Sequence, residues 1–177
     1  MTPKDRLWAP WRMQYVEHHG PDTSAGKTGC IFCDFPAADD DAKNLIAYRG
    51  DSAYVILNGF PYNNGHVMVV PYEHSAKLHE LPASTATEIT ELTQLSLTVL
   101  ETLYAPGGFN IGINQGDAAG AGIGAHLHQH IVPRWVGDTN FMPVVADVRV
   151  LPEALAASYE KIRSGFAAAT QTEELTS

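Results

Sequence analysis

Apolar and polar positions repeat regularly enough along the chain to lay out most of its elements. Leu45–Tyr48, Ala53–Leu57 and His66–Val70 are short apolar runs rich in branched residues, which predicts strands. The segment between the last two, Asn58-Gly-Phe-Pro-Tyr-Asn-Asn-Gly65, is dense in turn formers. From Ser84 to Tyr104 the period changes: Ile89, Leu92, Leu95 or Ser96, Val99 and Leu103 recur every three to four residues, which predicts a helix. Thr85 and Glu88 have capping-box spacing at its start, and Pro106-Gly107-Gly108 stops it. Phe109–Ile113 reads as a further strand, and Val144–Val150 as another. After Pro152 a second helix is predicted, with Leu155, Tyr159, Ile162 and Phe166 on one stripe. Residues 20–29 and Asp39-Asp40-Asp41 read as solvated loop. Strands with two intervening helices and no internal repeat predict an α+β domain on an antiparallel sheet.

One run breaks the bland pattern. In His126-Leu127-His128-Gln129-His130-Ile131-Val132, histidine occupies every second position of an expected strand. Strand side chains alternate, so the three imidazoles would project from one face, neighbours roughly 7 Å apart. Each needs a hydrogen-bond partner or a metal if it is buried, which makes this a costly way to build a core. Imidazole near neutral pH serves as nucleophile, general base or metal ligand, and spacing alone leaves all three open. The loop before it, Asn114-Gln115-Gly116 followed by Ala118 to Gly124, offers backbone N–H groups with few side chains to block an anion. A glycine-rich loop is as often only a loop.

Bulk composition narrows the partners. The 177 residues are 45% hydrophobic and 18% charged, with a formal net charge of −9. These values fit a globular domain and oppose broad binding to a nucleic acid polymer or an anionic membrane surface. No apolar run approaches the roughly 20 residues that a membrane-spanning helix needs. Met1 to Trp11 is polar and then aromatic, unlike a secretion signal, so a cytoplasmic protein is expected. Trp8 and Trp11 suggest an N-terminal extension that docks by its aromatics.

Both cysteines lie in Cys30-Ile31-Phe32-Cys33. Without a secretion signal, this spacing points to a metal or redox role more than to a structural disulfide. Half of a tetrahedral zinc site, a reduced metal-free pair and a thioredoxin-like redox motif all fit. The expected absence of a strand-then-helix opening argues against the redox motif. His18, His19 and His79 have no spacing that implies a site.

Taken together, the residues resemble the histidine triad (HIT) superfamily, whose hallmark is His-φ-His-φ-His-φ-φ, with φ apolar, after an Asn-x-Gly loop. The matching residues are His126 to Val132 and Asn114-Gln115-Gly116, with Gln129 polar where the pattern prefers apolar. The resemblance extends upstream through Asn58 and Gly65-His66-Val-Met-Val-Val-Pro71. The flanks, Arg6-Leu-Trp-Ala-Pro-Trp-Arg12 and Pro133 to Pro143, look like the bacterial branch that includes diadenosine tetraphosphate phosphorylases.

The resemblance implies an antiparallel sheet of about five strands carrying the long helix, with a C-terminal helix besides. It implies an N-terminal extension over residues 1–29, a core domain over 30–135, and a C-terminal extension over 136–177. It further implies a homodimer acting on a nucleotide substrate. His128 would attack the α-phosphorus of a dinucleoside polyphosphate or similar conjugate and form a nucleotidyl-histidine, with water or inorganic phosphate as acceptor. His130 would bond near the transferring phosphate or leaving group, and His66 would set the tautomer of His128. Asn114, Gly116 and the backbone of Gly120 to Gly124, Gly122 included, would hold phosphate oxygens. Asn58 would take the ribose, and Ile31 and Phe32 the base. Many members carry Ser, Thr or Gln just before the triad, where this chain has Gly122 and Ile123, so backbone N–H groups would serve there. The resemblance also completes the zinc set: Cys30, Cys33, His74 and His126, with the metal structural. Apart from it, His66 could be a satisfied core residue, Asn58 a turn former, and Ile31 and Phe32 plain core. Two other classes stay open: a non-catalytic nucleotide-binding module, and a metal-dependent hydrolase with the triad as ligands.

Overall fold

The computed structural model describes residues 28–138 and 153–174. Trp8, Trp11, His18, His19 and the strand expected at Val144–Val150 lie outside them.

A one-turn-plus helix α1 (Ile31–Ala37) and a single turn α2 (Asp41–Asn44) precede a hairpin of β1 (Ile46–Arg49) and β2 (Ala53–Leu57). Strand β3 (Val67–Pro71), the long helix α3 (Ala83–Tyr104), β4 (Gly108–Ile113), β5 (Gln129–Arg134) and helix α4 (Leu155–Glu174) follow. The five strands form one antiparallel sheet in the order β1-β2-β3-β5-β4. The chain is therefore α+β, as the alternation of elements predicts.

The sheet has two covered faces, and strand periodicity sorts the residues between them. Val55, Leu57, Val67, Val69 and Ile131 point to one face, against Ile89, Leu92, Val99 and Leu100 of α3 and Tyr159, Ile162 and Phe166 of α4. Tyr54, Ile56, Met68 and Val70 point to the other, against Cys30 and Phe32. All ten residues of β2 and β3 are buried, which is why those runs read as continuously apolar rather than alternating. Of the α4 stripe expected from sequence, Tyr159, Ile162 and Phe166 are buried and Leu155 is half-buried; full burial of an apolar side chain such as Ile162 or Phe166 contributes about 1.5–3 kcal/mol. Helix α4 crosses α3 closely at Gly165, where a Cβ would stand 2.8 Å from Val99 Cγ1.

Three local expectations are corrected. The capping box does not form: Pro82 occupies the cap position of α3 without a side-chain bond, and Thr85 is buried. Glu88 instead caps the β1–β2 turn, accepting from Asp51 N (2.6 Å), Ser52 N (2.7 Å) and the Ser52 hydroxyl. Asp40 and Asp41 are not plain loop. Asp40 accepts from Lys43 N to cap α2, and Asp41 pairs with Arg49 at 2.7 Å. The histidine run is only partly strand, because β5 begins at Gln129. Backbone groups before it are engaged elsewhere: Leu127 N donates to Ser75 O, and His126 O accepts from a side chain.

Candidate functional site

The face bearing Met68 and Val70 also carries the histidines. Met68 lies opposite His130 in the β3–β5 register, and the His126 and His128 rings pack against Phe32. His66, His126 and His128 are buried, at 1%, 1% and 5% exposure. Each has a partner, as burial of a polar ring demands. The odd members face the helix. Leu127 joins the main core, and the Gln129 carboxamide donates to Thr93 Oγ1 at 2.6 Å. Thr93 sits on α3 and donates onward to Ile89 O, so a polar residue is satisfied where the hallmark prefers an apolar one.

The partners fix where each ring carries its proton. His128 Nδ1 lies 2.8 Å from His126 O, an acceptor only, so Nδ1 holds the hydrogen and Nε2 keeps its lone pair. Burial pulls the His128 pKa below its ordinary value, partly opposed by that carbonyl, which keeps the ring neutral near pH 7. His66 Nδ1 accepts from Tyr62 N at 3.0 Å, leaving its Nε2–H to donate to His130 Nδ1, also at 3.0 Å. His130 is thereby left with its hydrogen on Nε2. This corrects the expectation for His66: its Nε2 orients His130, while the tautomer of His128 is held by the carbonyl of its own chain at His126.

His126 Nε2 lies 2.9 Å from Pro71 O, so its Nδ1 carries the lone pair. That lone pair faces Cys30 Sγ at 3.3 Å and Cys33 Sγ at 3.6 Å, while His74 Nδ1 lies 3.3 Å from Cys33 Sγ. One ligand atom from each of Cys30, Cys33, His74 and His126 lies within 4.8 Å of the others, so the four could hold a metal ion. Burial, followed by the neighbouring Cys30 and Asp34, pushes the Cys33 thiol up to about 11. The Cys33 thiol so placed resists ionisation by itself, and a cation beside it would reverse that. The cysteine pair opens a helix, with Cys30 at the cap of α1, but among the described residues no strand leads into it. Pairing with two histidines on other segments is what sets it apart from an isolated dithiol.

Beside the triad lies a cavity of about 400 Å³. His128 and His130 line it together with Asn58, Asn114, Gly120, Gly122, Ile123, Ile31 and Phe32. Gly116 is not part of that lining; its φ of +83° places it at the bend of the approaching loop. Asn58 also keeps the turn-former role, since its Oδ1 accepts from Phe60 N at 2.9 Å. Sequence reasoning missed Phe35, Lys43, Asn44, Phe60 and Tyr62 in the lining. Phe35 was within reach, falling on the helical stripe of Ile31 and Phe32. Lys43, Asn44, Phe60 and Tyr62 carry no local signal. A wider groove of about 1390 Å³ between α3 and α4 contains none of the histidines.

Comparison with known proteins agrees with this architecture. The HIT domain pattern matches residues 40–136. A Mycobacterium tuberculosis (strain CDC 1551 / Oshkosh) protein named AP-4-A phosphorylase is 38% identical over 154 residues, covering 85% of this chain and 78% of that one. Adenylylsulfatase HINT3 of Arabidopsis thaliana is 29% identical over 113 residues, covering 64% of this chain and 56% of that one. Among solved structures, a zinc-bound histidine triad family protein from Mycobacterium smegmatis superposes with a TM-score of 0.66 at 27% identity. That match covers 83% of this chain and 99% of the other.

Proposed function

We infer, from the premise that this chain belongs to the HIT domain family, that it cleaves the α-phosphate linkage of a dinucleoside polyphosphate or related nucleotide conjugate. Diadenosine tetraphosphate is the first substrate to consider, given the AP-4-A phosphorylase relative. The observation behind this reading is the bare Nε2 of His128: its ring is buried, neutral and hydrogen-bonded through Nδ1 to His126 O, beside a cavity of about 400 Å³. Such an arrangement is what an imidazole nucleophile requires.

In the first step His128 Nε2 attacks the α-phosphorus. A P–N bond forms, the P–O bond to the remaining phosphates breaks, and the leaving chain departs with its oxygen. The carbonyl of His126 stabilises the positive charge that develops on the ring, because Nδ1–H remains bonded to it. His130, whose hydrogen sits on Nε2, donates to a phosphate oxygen or to the departing one, and His66 holds that tautomer. Asn114 and the Gly120–Ile123 backbone hold phosphate oxygens, Asn58 the ribose, and Ile31, Phe32 and Phe35 the base. In the second step water or inorganic phosphate attacks the same phosphorus, the P–N bond breaks, and His128 Nε2 is restored. The rival in which the triad itself chelates a catalytic ion is disfavoured: among the described residues the ligand cluster includes His126 but neither His128 nor His130.

The metal of that cluster is zinc and its role structural. Zinc–sulfur bonds near 2.3 Å and zinc–nitrogen bonds near 2.0–2.1 Å give a tetrahedral S···N edge of about 3.5 Å. The S···N separations are 3.3, 3.3 and 3.6 Å, and Cys2His2 is a donor set zinc favours. With protein atoms at all four positions, such an ion would fix α1 and the start of the triad rather than meet substrate. A homodimer fits the exposed outer edge of β4, with which no described strand pairs and on which Ile111 is 48% exposed. No described helix is long and apolar enough to cross a membrane; a nucleotide substrate and paired reduced thiols suit the cytoplasm.

The test is trapping. Protein mixed with diadenosine tetraphosphate labelled on the α-phosphate and quenched in base should retain label in the wild type, and none in His128→Ala. Phosphoramidates survive base, so turnover without label would rule out the covalent route. Nucleotide binding without turnover would make the protein a binding module. Products formed with and without inorganic phosphate identify the acceptor: ADP plus ATP for phosphate, AMP plus ATP for water.

A further inference from the structure

We propose that Asn44 reads the base of the bound nucleotide, its carboxamide oxygen accepting a hydrogen bond from the exocyclic amine of a 6-aminopurine. The proposal rests on the nucleotide reading above and deepens it. The slot walls supplied by Ile31, Phe32, Phe35 and Leu45 are apolar. They grip a flat ring without telling one base from another. Discrimination therefore has to come from a polar side chain in the lining that the phosphates and ribose do not use.

Asn44 is such a side chain. It lines the cavity, is half-buried, and ends the single turn α2, fixed there by Asp40 at the front and by Leu45 behind in the left-handed region. Its Nδ2 donates to Phe35 O at 3.2 Å, on the helix that supplies the slot's aromatic wall. Since a backbone carbonyl can only accept, this bond orients the amide: nitrogen toward α1, oxygen the other way. The atom on the side away from α1 is the oxygen, an acceptor, and the remaining N–H stays on the nitrogen that α1 holds. Adenine carries a donor amine at its 6-position, whereas hypoxanthine and guanine carry an acceptor oxygen that Asn44 Oδ1 would oppose. Lys43 shares the lining but is exposed, where water competes for its ammonium, so it selects less than the oriented amide.

Calorimetric titration of adenosine monophosphate and inosine monophosphate isolates the contact, because the two ligands share ribose and phosphate. Wild type should prefer the adenosine ligand by about tenfold, the value of one neutral hydrogen bond in a half-buried site. Asn44→Leu should bring the ratio near one, and Asn44→Lys, which offers a donor, should invert it. The ratio is internal to each protein, so a general loosening of the slot lowers both affinities and leaves it unmoved. A wild-type ratio near one overturns the proposal, as does a tenfold ratio that persists in a folded Asn44→Leu protein. A flat ratio alongside retained base-stable label on His128 defeats this inference alone. Absence of both adenosine monophosphate binding and tetraphosphate cleavage defeats the nucleotide reading with it.

Discussion

Replacing His66 separates holding a tautomer from doing chemistry. His66 is buried at 1% exposure, accepts from Tyr62 N and donates to His130 Nδ1, both at 3.0 Å. His66→Leu leaves the Tyr62 N–H and the His130 Nδ1 lone pair without these partners. Each such loss costs about 1–3 kcal/mol, so a destabilisation of about 2–6 kcal/mol is expected, or a Tm lower by roughly 4–24 °C for a chain of this size. Its effect on rate should be far smaller. One neutral hydrogen bond of about 1 kcal/mol favours the Nε2–H form of His130 about fivefold. Without it the two tautomers become comparable, and the productive fraction falls only about twofold, with some further loss from looser positioning. His66→Gln, whose terminal amide can still donate to His130, should recover most of the rate while remaining less stable than wild type. The assays are thermal melting and single-turnover cleavage of diadenosine tetraphosphate below the Tm of every variant. A hundredfold loss of rate in a protein that melts normally would refute this reasoning and put His66 in the reacting shell.

The metal cluster and the hairpin cap give two further expectations. Cys33→Ser should lower zinc content in native mass spectrometry from about one ion per chain to a small fraction, and should lower Tm by several degrees because metal binding and folding are linked. A full zinc complement in that variant would remove Cys33 from the ligand set. Glu88→Gln should destabilise by about 1–3 kcal/mol in urea unfolding, because one carboxylate accepts three hydrogen bonds from Asp51 and Ser52 and an amide oxygen cannot replace both carboxylate oxygens. An unchanged urea midpoint would mean that the turn holds without it.

Much of the scaffold was legible in sequence because it rests on local periodicity. Tyr159, Ile162 and Phe166 repeat with helical spacing and are buried together against α3 and the sheet. Strands β2 and β3 are apolar throughout because both of their faces are covered, which sequence expresses as uninterrupted runs. What escaped depends on contacts far apart in the chain. Glu88 has the spacing of a helix cap and yet serves a turn 36 residues away at Ser52. Asn44 and Tyr62 sit in segments that read as loop, and only the close packing of α1, α2 and the Asn58–Gly65 turn brings them to the cavity. The Cys30–His126 pairing spans 96 residues, and no local pattern reaches that far.

The triad's spacing was visible, but its division of labour was not, since identical side chains differ here only in their partners. Three imidazoles two residues apart could have shared one role. Instead His126 gives its Nε2–H to Pro71 O and turns Nδ1 to two thiols, while His128 gives Nδ1–H to His126 O and keeps Nε2 bare. His130, facing His66, keeps its hydrogen on Nε2. Backbone carbonyls make two of these three assignments, so substitution of side chains around His126 or His128 would not easily reverse them. The third involves a side chain, His66, and that difference makes His66 the position where tautomer and chemistry can be pulled apart. The late start of β5 at Gln129 belongs to the same arrangement. A ladder running back through His126 would engage the carbonyl that His128 uses, and the bare nitrogen beside the cavity would lose the bond that defines it.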